Sequence, residues 1–114
     1  MRIFSLAELT GTPISDHGSR GAMLSRLAEV VDPTQIVTIR IEAGGGVGRH
    51  TATSPQLFIV IQGQGEVSGE AGEFVEIRTG QAVHWNPGES HETRTNAGLT
   101  AIVVEGVSLQ LRGL

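Results

Sequence analysis

Short segments rich in β-branched residues, separated by glycine-containing turns, are the feature that most constrains how this chain can fold. Eleven valines, nine isoleucines and ten threonines lie among sixteen glycines, with no repeated unit. β-Branched residues favour extended backbone, and glycine, asparagine and proline between them favour tight turns. Strands that recur about every ten residues are typical of antiparallel sandwiches and small barrels rather than βαβ units. The sequence therefore predicts an all-β fold.

The strand pattern is legible from residue 36 to residue 105, which we interpret as a β-sandwich core. Residues 1–35 are interpreted as N-terminal strands or an arm and 106–114 as a tail, all within a single domain. Periodicity does not separate helix from strand over 22–31. Strands are predicted at Ile36–Ile41, Leu57–Gln62, Glu66–Ser68, Glu73–Arg78, Ala82–Trp85, His91–Thr95 and Leu99–Glu105. The turns between them are predicted at 44–46, 63–65, 69–72, 79–80, 86–88 and 96–98.

Charge and residue usage exclude several classes of function. Twelve acidic residues against eight basic ones give a net charge of −4, which argues against nucleic acid as the main partner. All basic residues are arginine, so Schiff-base lysine chemistry is excluded, and the absence of cysteine excludes thiol chemistry. The first residues reach an acidic side chain before any apolar run forms, and no run approaches the ~18 residues of a membrane span. We expect a soluble cytoplasmic protein without a membrane partner.

Three polar residues stand beside strand ends, where they could meet in one site. His50 follows a glycine-rich stretch, Gln56 opens the most apolar strand and His91 opens a later strand. In one straight strand His50 and Gln56 would lie about 20 Å apart. The segment 51–55 is turn-like and contains a proline, so the chain is expected to double back and bring the two together. His91 can join them only through long-range strand pairing.

The stretch from Gly44 to Gly63 resembles the first motif of the cupin superfamily. That motif has glycine, five residues, His-x-His, three or four residues, glutamate, six residues and glycine. Gly44, His50 and Gly63 match in register, and Gln56 stands where the glutamate belongs.

A second stretch, from Gly80 to Asn96, is similar to the second cupin motif. Gly80, Gly88 and His91 match, whereas Asn86 replaces a proline and Thr95 replaces the asparagine. The resemblance implies a conical antiparallel β-sandwich of the jelly-roll type with a central pocket. It also implies a divalent metal ion held, in many members, by two histidines, a glutamate and a third histidine.

The chain departs from that ligand set at two positions. Ala52 replaces the second histidine and Gln56 the glutamate, so only His50, Gln56 and His91 carry over as candidate metal ligands. This triad is neutral, so a bound Zn, Ni, Mn or Fe ion would keep its double charge and favour an anionic substrate. An enzyme of this kind would be an isomerase, a lyase or an oxygenase-type cupin.

Other residues have both a functional and a structural interpretation. Glu92 is a candidate general acid or base, although a position next to His91 places it on the opposite face of a strand. Trp85 and Phe58 are candidate pocket residues that could equally pack in the core. His17 and His84 are possible further ligands whose roles the sequence does not assign.

Three hypotheses about function follow from these residues. The first is a metal-dependent enzyme acting on a small anionic metabolite through His50, Gln56 and His91. The second is a metal-free cupin that binds a small ligand as a sensor or carrier, and the third is a structural module with a vestigial pocket. A sandwich of this size has sheet edges to cover, so we expect a homodimer.

Overall fold

A computed structural model gives the fold for residues 1–32 and 35–114. Antiparallel strands dominate it, and the two helices among these residues are short 3₁₀ turns at Leu6–Glu8 and Asp16–Gly18. The strands are β1 (Arg2–Ser5), β2 (Gly11–Ile14), β3 (Ala22–Ser25), β4 (Ala28–Glu29), β5 (Gln35–Ile41), β6 (Gly46–Thr51), β7 (Gln56–Ser68), β8 (Phe74–Arg78), β9 (Gln81–Trp85), β10 (Ser90–Arg94), β11 (Leu99–Glu105) and β12 (Gln110–Leu111). The predicted all-β antiparallel sandwich is confirmed.

The sandwich has two layers that share one long strand. The first half of β7 pairs with β11 and β9, which gives a layer in the order β5-β11-β7-β9-β1. The second half of β7 pairs with β8 and β10, and β10 pairs with β6, which gives the facing layer. The inward-facing side chains of the first half of β7, such as Phe58, lie next to the space between the two layers.

One of the predicted turns, at 63–65, is wrong in an informative way. Residues 63–65 do not reverse the chain, because β7 continues through them to Ser68. Gly63 has a φ of +84°, and the register with β11 shifts between Thr100 and Ala101, so the predicted turn is a β-bulge. The turn predicted at 44–46 does lie between β5 and β6, since Gly44 has a φ of +81° and the Gly45 N–H donates to the Glu42 carbonyl oxygen at 2.8 Å. Its last residue, Gly46, already belongs to β6, which was not among the predicted strands.

Alternation along the strands separates an inner core from an outer one. Phe58 and Val60 face the space between the layers, whereas Leu57 faces outward. The outer cluster contains Phe4 and Leu109 from the two terminal segments, which cover the outer face of the first layer. β1 joins the main sheet, so the sheet extends beyond the 36–105 predicted for it. The inner core comprises Ile41, Phe58, Val60, Val67, Ile77, Val83, Trp85, Leu99, Ala101 and Val103.

The region 22–31, which the sequence left open between helix and strand, contains the short strands β3 and β4. Among residues 1–32 and 35–114 there is no helix with the length and hydropathy that a membrane span requires.

Candidate functional site

A row of polar side chains crosses one end of the first layer on its inner face. Glu105 of β11 pairs with Gln35 of β5 on one side and with Gln56 of β7 on the other, and Gln56 pairs with Trp85 of β9. Directly opposite residues on neighbouring strands share a face of the sheet. The next inward row is entirely apolar and consists of Val37, Val103, Phe58 and Val83. The polar row therefore lies at the rim of an apolar core.

The facing layer contributes a pair of histidines. His50 of β6 and His91 of β10 are direct cross-strand partners, and their ring centroids lie 4.3 Å apart with the planes tilted by 59°. His91 is buried, with 3% of its surface exposed, whereas His50 lies at the exposed edge strand. Long-range pairing of β6 with β10 thus brings together residues that are far apart in sequence.

Both imidazole rings are oriented by the main chain. His50 Nδ1 lies 2.7 Å from the Gly48 carbonyl oxygen, and His91 Nδ1 lies 3.2 Å from that of Glu89. A carbonyl oxygen only accepts hydrogen bonds, so each neutral ring carries its hydrogen on Nδ1. The Nε2 atom of each ring is left with a free lone pair.

Aromatic side chains form the floor beneath the histidines. The ring of Trp85 stacks on His91 at 4.3 Å between centroids and meets Phe58 edge-on at 5.8 Å. Trp85 Nε1 donates to the Ser68 carbonyl oxygen at 3.2 Å, which fixes the indole in the core. Both candidate pocket aromatics are therefore core residues whose surfaces also line the site.

These groups surround a cavity of about 90 Å³ between the two layers. Larger depressions exist, such as one of about 390 Å³ around Arg40 and Gly98, but no histidine lines that one. Of the sequence candidates, the cavity brings together His50, Gln56, His91, Phe58 and Trp85. The remaining lining residues are Gln35, Val37, Ile39, Val47, Thr93, Val103 and Glu105.

Glu105 is the site residue that the sequence analysis missed. Its Oε1 accepts a hydrogen bond from Gln56 Nε2 at 2.7 Å, and its Oε2 accepts one from Gln35 Nε2 at 3.2 Å. The alternation of Leu99, Ala101 and Val103 into the core was the signal available, because it places Glu105 on the same inner face.

The turn before β10 positions His91. The Glu89 side chain accepts hydrogen bonds from the amino group of Met1 at 2.8 Å and from the Asn86 N–H at 2.9 Å. Burial is the largest single influence and would raise the pKa of Glu89, but these hydrogen bonds and the positive charge of the amino group together hold that pKa below its ordinary value. The Glu89 carbonyl also accepts the N–H of Ala52 at 3.0 Å. The backbone of Ala52 therefore connects the loop after β6 to this turn. Its side chain is a buried methyl group, which has no atom that can bind a metal ion.

Three other candidates lie away from the cavity. Glu92 of β10 is the cross-strand partner of Ser68 of β7. It is not among the lining residues, as expected from its position next to His91. His84 points away from Val83 and Trp85 and is half-buried, and burial is the largest of the causes that lower its pKa. His17 occupies an exposed turn with a φ of +60°.

Burial of His91 and His84 makes the free energy of unfolding depend on pH. Burial lowers the pKa of His91 and of His84 below the ordinary value of 6.5. Between that lowered value and 6.5 the unfolded chain binds more protons than the folded one, so the free energy of unfolding rises with pH. We expect the melting temperature to fall between about pH 7 and about pH 5, and to fall less in a His91→Asn variant. A scanning calorimetry series in which the variant keeps the full slope would contradict this assignment.

A comparison with protein-family models identifies the architecture built around this cavity. The cupin domain model matches residues 37–106, which is more than half of the chain. The chain belongs to the cupin family. The cupin motifs at Gly44–Gly63 and Gly80–Asn96 both fall within the matched region. No curated protein is similar to the chain at a significant level.

Solved structures show the same cupin fold at low sequence identity. A predicted oxalate decarboxylase from Thermotoga maritima is 21% identical, with a TM-score of 0.59, over 97% of this chain and 99% of the other. An RmlC-like cupin from Methanocaldococcus jannaschii with a double-stranded β-helix fold is 17% identical, with a TM-score of 0.62, over 87% and 90%. A cupin superfamily protein from Desulfitobacterium hafniense is 11% identical, with a TM-score of 0.62, over 87% and 97%.

The donor set of this cavity falls short of the metal site that the cupin fold implies. The motif positions supply two imidazoles and one neutral amide oxygen, because Ala52 and Gln56 occupy the positions of the missing histidine and glutamate. The carboxylate that lines the cavity, Glu105, lies outside both motifs, and its two oxygens accept hydrogen bonds from Gln56 and Gln35. Within residues 1–32 and 35–114, no group of three histidine, cysteine, aspartate or glutamate side chains is arranged to hold a metal ion. His50, Gln56 and His91 are neutral as ligands, so they do not compensate the charge of a metal ion, which weakens its binding. These residues do not fit a resident metal of the family type.

Proposed function

We propose that this cupin binds a small organic molecule without a resident metal ion, as a sensor or carrier. The observation that carries the proposal is the histidine pair, whose Nε2 atoms are free while both Nδ1 atoms are held by carbonyl oxygens. Rings fixed in this way are preorganised hydrogen-bond acceptors, because no rotation is needed when a ligand arrives.

The cavity has the composition of a binding site. A few polar groups, His50, His91, Gln56 and Thr93, converge over a floor formed by Phe58 and the valine side chains. Sites for small molecules combine an apolar lining with a few placed polar groups in this manner. Among the described residues, no buried side-chain nitrogen or oxygen lacks a hydrogen-bond partner, so the free ring nitrogens are not sealed in the core.

Size restricts the ligand to a few non-hydrogen atoms. The cavity of about 90 Å³ is well below the ~300–1,000 Å³ of pockets for drug-sized compounds. A ligand of this size would be held between the Trp85–His91 stack and the edge strands β5 and β6. β5 is an edge strand of the first layer and β6 an edge strand of the facing layer. Formation of a homodimer through such edges stays a prediction.

The proposal is tested by thermal unfolding of the protein against a library of small metabolites. A ligand present at about 100 times its Kd is expected to raise the free energy of unfolding by about 2.7 kcal/mol, with a corresponding rise in melting temperature. The His50→Ala and His91→Ala variants are expected to lose this stabilisation, because each removes one of the free Nε2 acceptors.

The matched control is His17→Ala, which changes the same residue type on an exposed turn outside the cavity. It is expected to keep the full ligand-induced stabilisation. Stabilisation that survives in both cavity variants would place the binding site elsewhere and overturn the proposal. Loss of stabilisation in all three variants would also overturn it, because the effect would not be specific to the cavity.

A further inference from the structure

The free polar atoms around the cavity are mainly hydrogen-bond acceptors. The Nδ1–H groups of His50 and His91 already donate to carbonyl oxygens, which leaves two Nε2 acceptors. The amide nitrogens of Gln56 and Gln35 each donate one hydrogen bond to Glu105, which leaves two amide oxygens as further acceptors and one N–H on each nitrogen as a donor. A ligand that complements the two Nε2 atoms and the two amide oxygens donates hydrogen bonds to them.

The charge of the lining has a single sign. Glu105 is the charged side chain among the described residues that line the cavity. The two arginines within the cupin motifs are bound elsewhere. Arg49 donates to Ser68 Oγ and to the carbonyl of Gly69, and Arg94 pairs with Glu66 at 3.0 Å. The sequence contains no lysine.

Glu105 has hydrogen bonds but no counter-charge in the described part of the chain. Both of its oxygens accept amide N–H groups, which holds the carboxylate in place at the rim of the apolar core. None of the ion pairs formed by residues 1–32 and 35–114 includes it. The side chain is half-buried, and charges interact more strongly in such surroundings than in water. A cationic ligand would supply the missing partner.

We infer that the ligand of this cavity is a small organic cation, with Glu105 as its counter-charge and the Nε2 atoms of His50 and His91 as acceptors for its N–H groups. This inference rests on the proposed binding function and names its ligand class. The expectation of an anionic ligand depended on the charge of a bound metal ion, and without that ion the lining favours the opposite sign. A protonated amine or an amidinium of about four non-hydrogen atoms fits both the volume and the acceptor pattern.

Three planar probes of nearly equal shape isolate the effect of ligand charge. Acetamidinium, acetamide and acetate carry charges of +1, 0 and −1, and each is titrated into the protein at neutral pH. Histidine side-chain NMR resonances of His50 and His91 report binding inside the cavity. Acetamidinium is expected to shift both saturably and to bind at least about tenfold more tightly than the other two, because hydrogen bonds to a charged partner are the stronger ones.

Substitutions assign that preference to Glu105. Glu105→Gln, which keeps the shape and removes the charge, is expected to lower acetamidinium affinity to that of acetamide. Glu105→Asp is expected to retain a preference for acetamidinium over acetate. Glu76→Gln removes an exposed carboxylate on β8 and is expected to change nothing. Melting temperatures of all variants establish that each is folded under the conditions of the titration.

The outcomes separate this inference from the proposed function. Acetate binding as tightly as acetamidinium, or unchanged acetamidinium affinity in Glu105→Gln, would overturn the inference while leaving a small-ligand site in place. If none of the probes shifts the histidine resonances, the inference fails, and if the metabolite library also yields no ligand, the proposed function fails with it. The last experiment is a titration with Zn²⁺ alone. Saturable Zn²⁺ binding that excludes acetamidinium would identify the cation as a metal ion, which would overturn both the inference and the proposed function.

Discussion

Replacing Trp85 by alanine is expected to lower the free energy of unfolding by about 3–5 kcal/mol, the usual cost of removing a fully buried large aromatic side chain. Trp85 is 1% exposed and contacts Phe58 edge-on and His91 face-on. Its removal would leave a void beneath His91 and would remove the hydrogen bond from Nε1 to the Ser68 carbonyl oxygen. The ring that carries one of the proposed ligand acceptors would lose its support, so weaker ligand binding is also expected.

Urea unfolding followed by circular dichroism measures this effect, because Trp85 is the one tryptophan and fluorescence disappears with it. Trp85→Phe keeps an aromatic ring and loses the Nε1 hydrogen bond, so a smaller loss is expected. Phe74→Ala is the matched control, because that ring is half-buried and lies under the Arg94 guanidinium at 3.6 Å. It is expected to cost about 1 kcal/mol. Equal losses in Trp85→Ala and Phe74→Ala would contradict the role given to Trp85.

Replacing Gly63 by alanine is expected to lower the free energy of unfolding by about 2–5 kcal/mol, from backbone strain and crowding together. Gly63 has a φ of +84°, which disfavours any side chain. A Cβ atom there would collide with the Gly98 carbonyl oxygen and lie 2.9 Å from Leu99 Cα. Both atoms belong to the backbone of the neighbouring β11 segment, so relief requires the strands to separate at the bulge.

Gly72→Ala is the control for this substitution. Gly72 has nearly the same φ, +82°, but a Cβ atom there would meet nothing within 4 Å. Its cost should be the backbone strain alone, about 1–2 kcal/mol. Urea unfolding midpoints of the two variants therefore separate strain from crowding. If Gly63→Ala costs no more than Gly72→Ala, close packing across the bulge is not what requires glycine at this position.

Much of the sheet could be predicted because local chemistry determines it. The segment Leu99–Glu105 was predicted with the bounds that the structure gives, since β-branched residues fill it and glycine precedes it. The long strand β7 was divided at Gly63 because glycine favours both turns and bulges, and the choice depends on partners elsewhere in the chain. β8, β10 and β11 all pair with β7 and hold it extended.

The convergence of His50, Gln56 and His91 on one cavity was predictable only in part. Spacing within the first motif brought His50 near Gln56, because a turn-like segment joins them. The cupin resemblance, rather than any local signal, placed His91 beside them. The alternation of side chains along β10 correctly predicted that Glu92 faces away from the cavity.

Glu105 was missed although its strand was predicted. The alternation of side chains along β11 predicts that Glu105 faces inward, like Ala101 and Val103. Neither cupin motif contains this residue. Its partners Gln35 and Gln56 come from strands on both sides, so the hydrogen-bonded row exists only once the sheet is assembled. Pairing across a sheet is non-local information, which a spacing pattern within one segment does not contain.

Elemental analysis of the purified, untagged protein tests the central claim most directly, with His50→Ala and His91→Ala prepared in parallel. We expect far less than one metal ion per chain, and no retained metal after incubation with Zn²⁺, Ni²⁺, Mn²⁺ or Fe²⁺ followed by desalting. This follows from the two ligand positions occupied by Ala52 and Gln56. Near-stoichiometric metal in the wild-type protein, lost in both variants, would contradict a metal-free binding pocket.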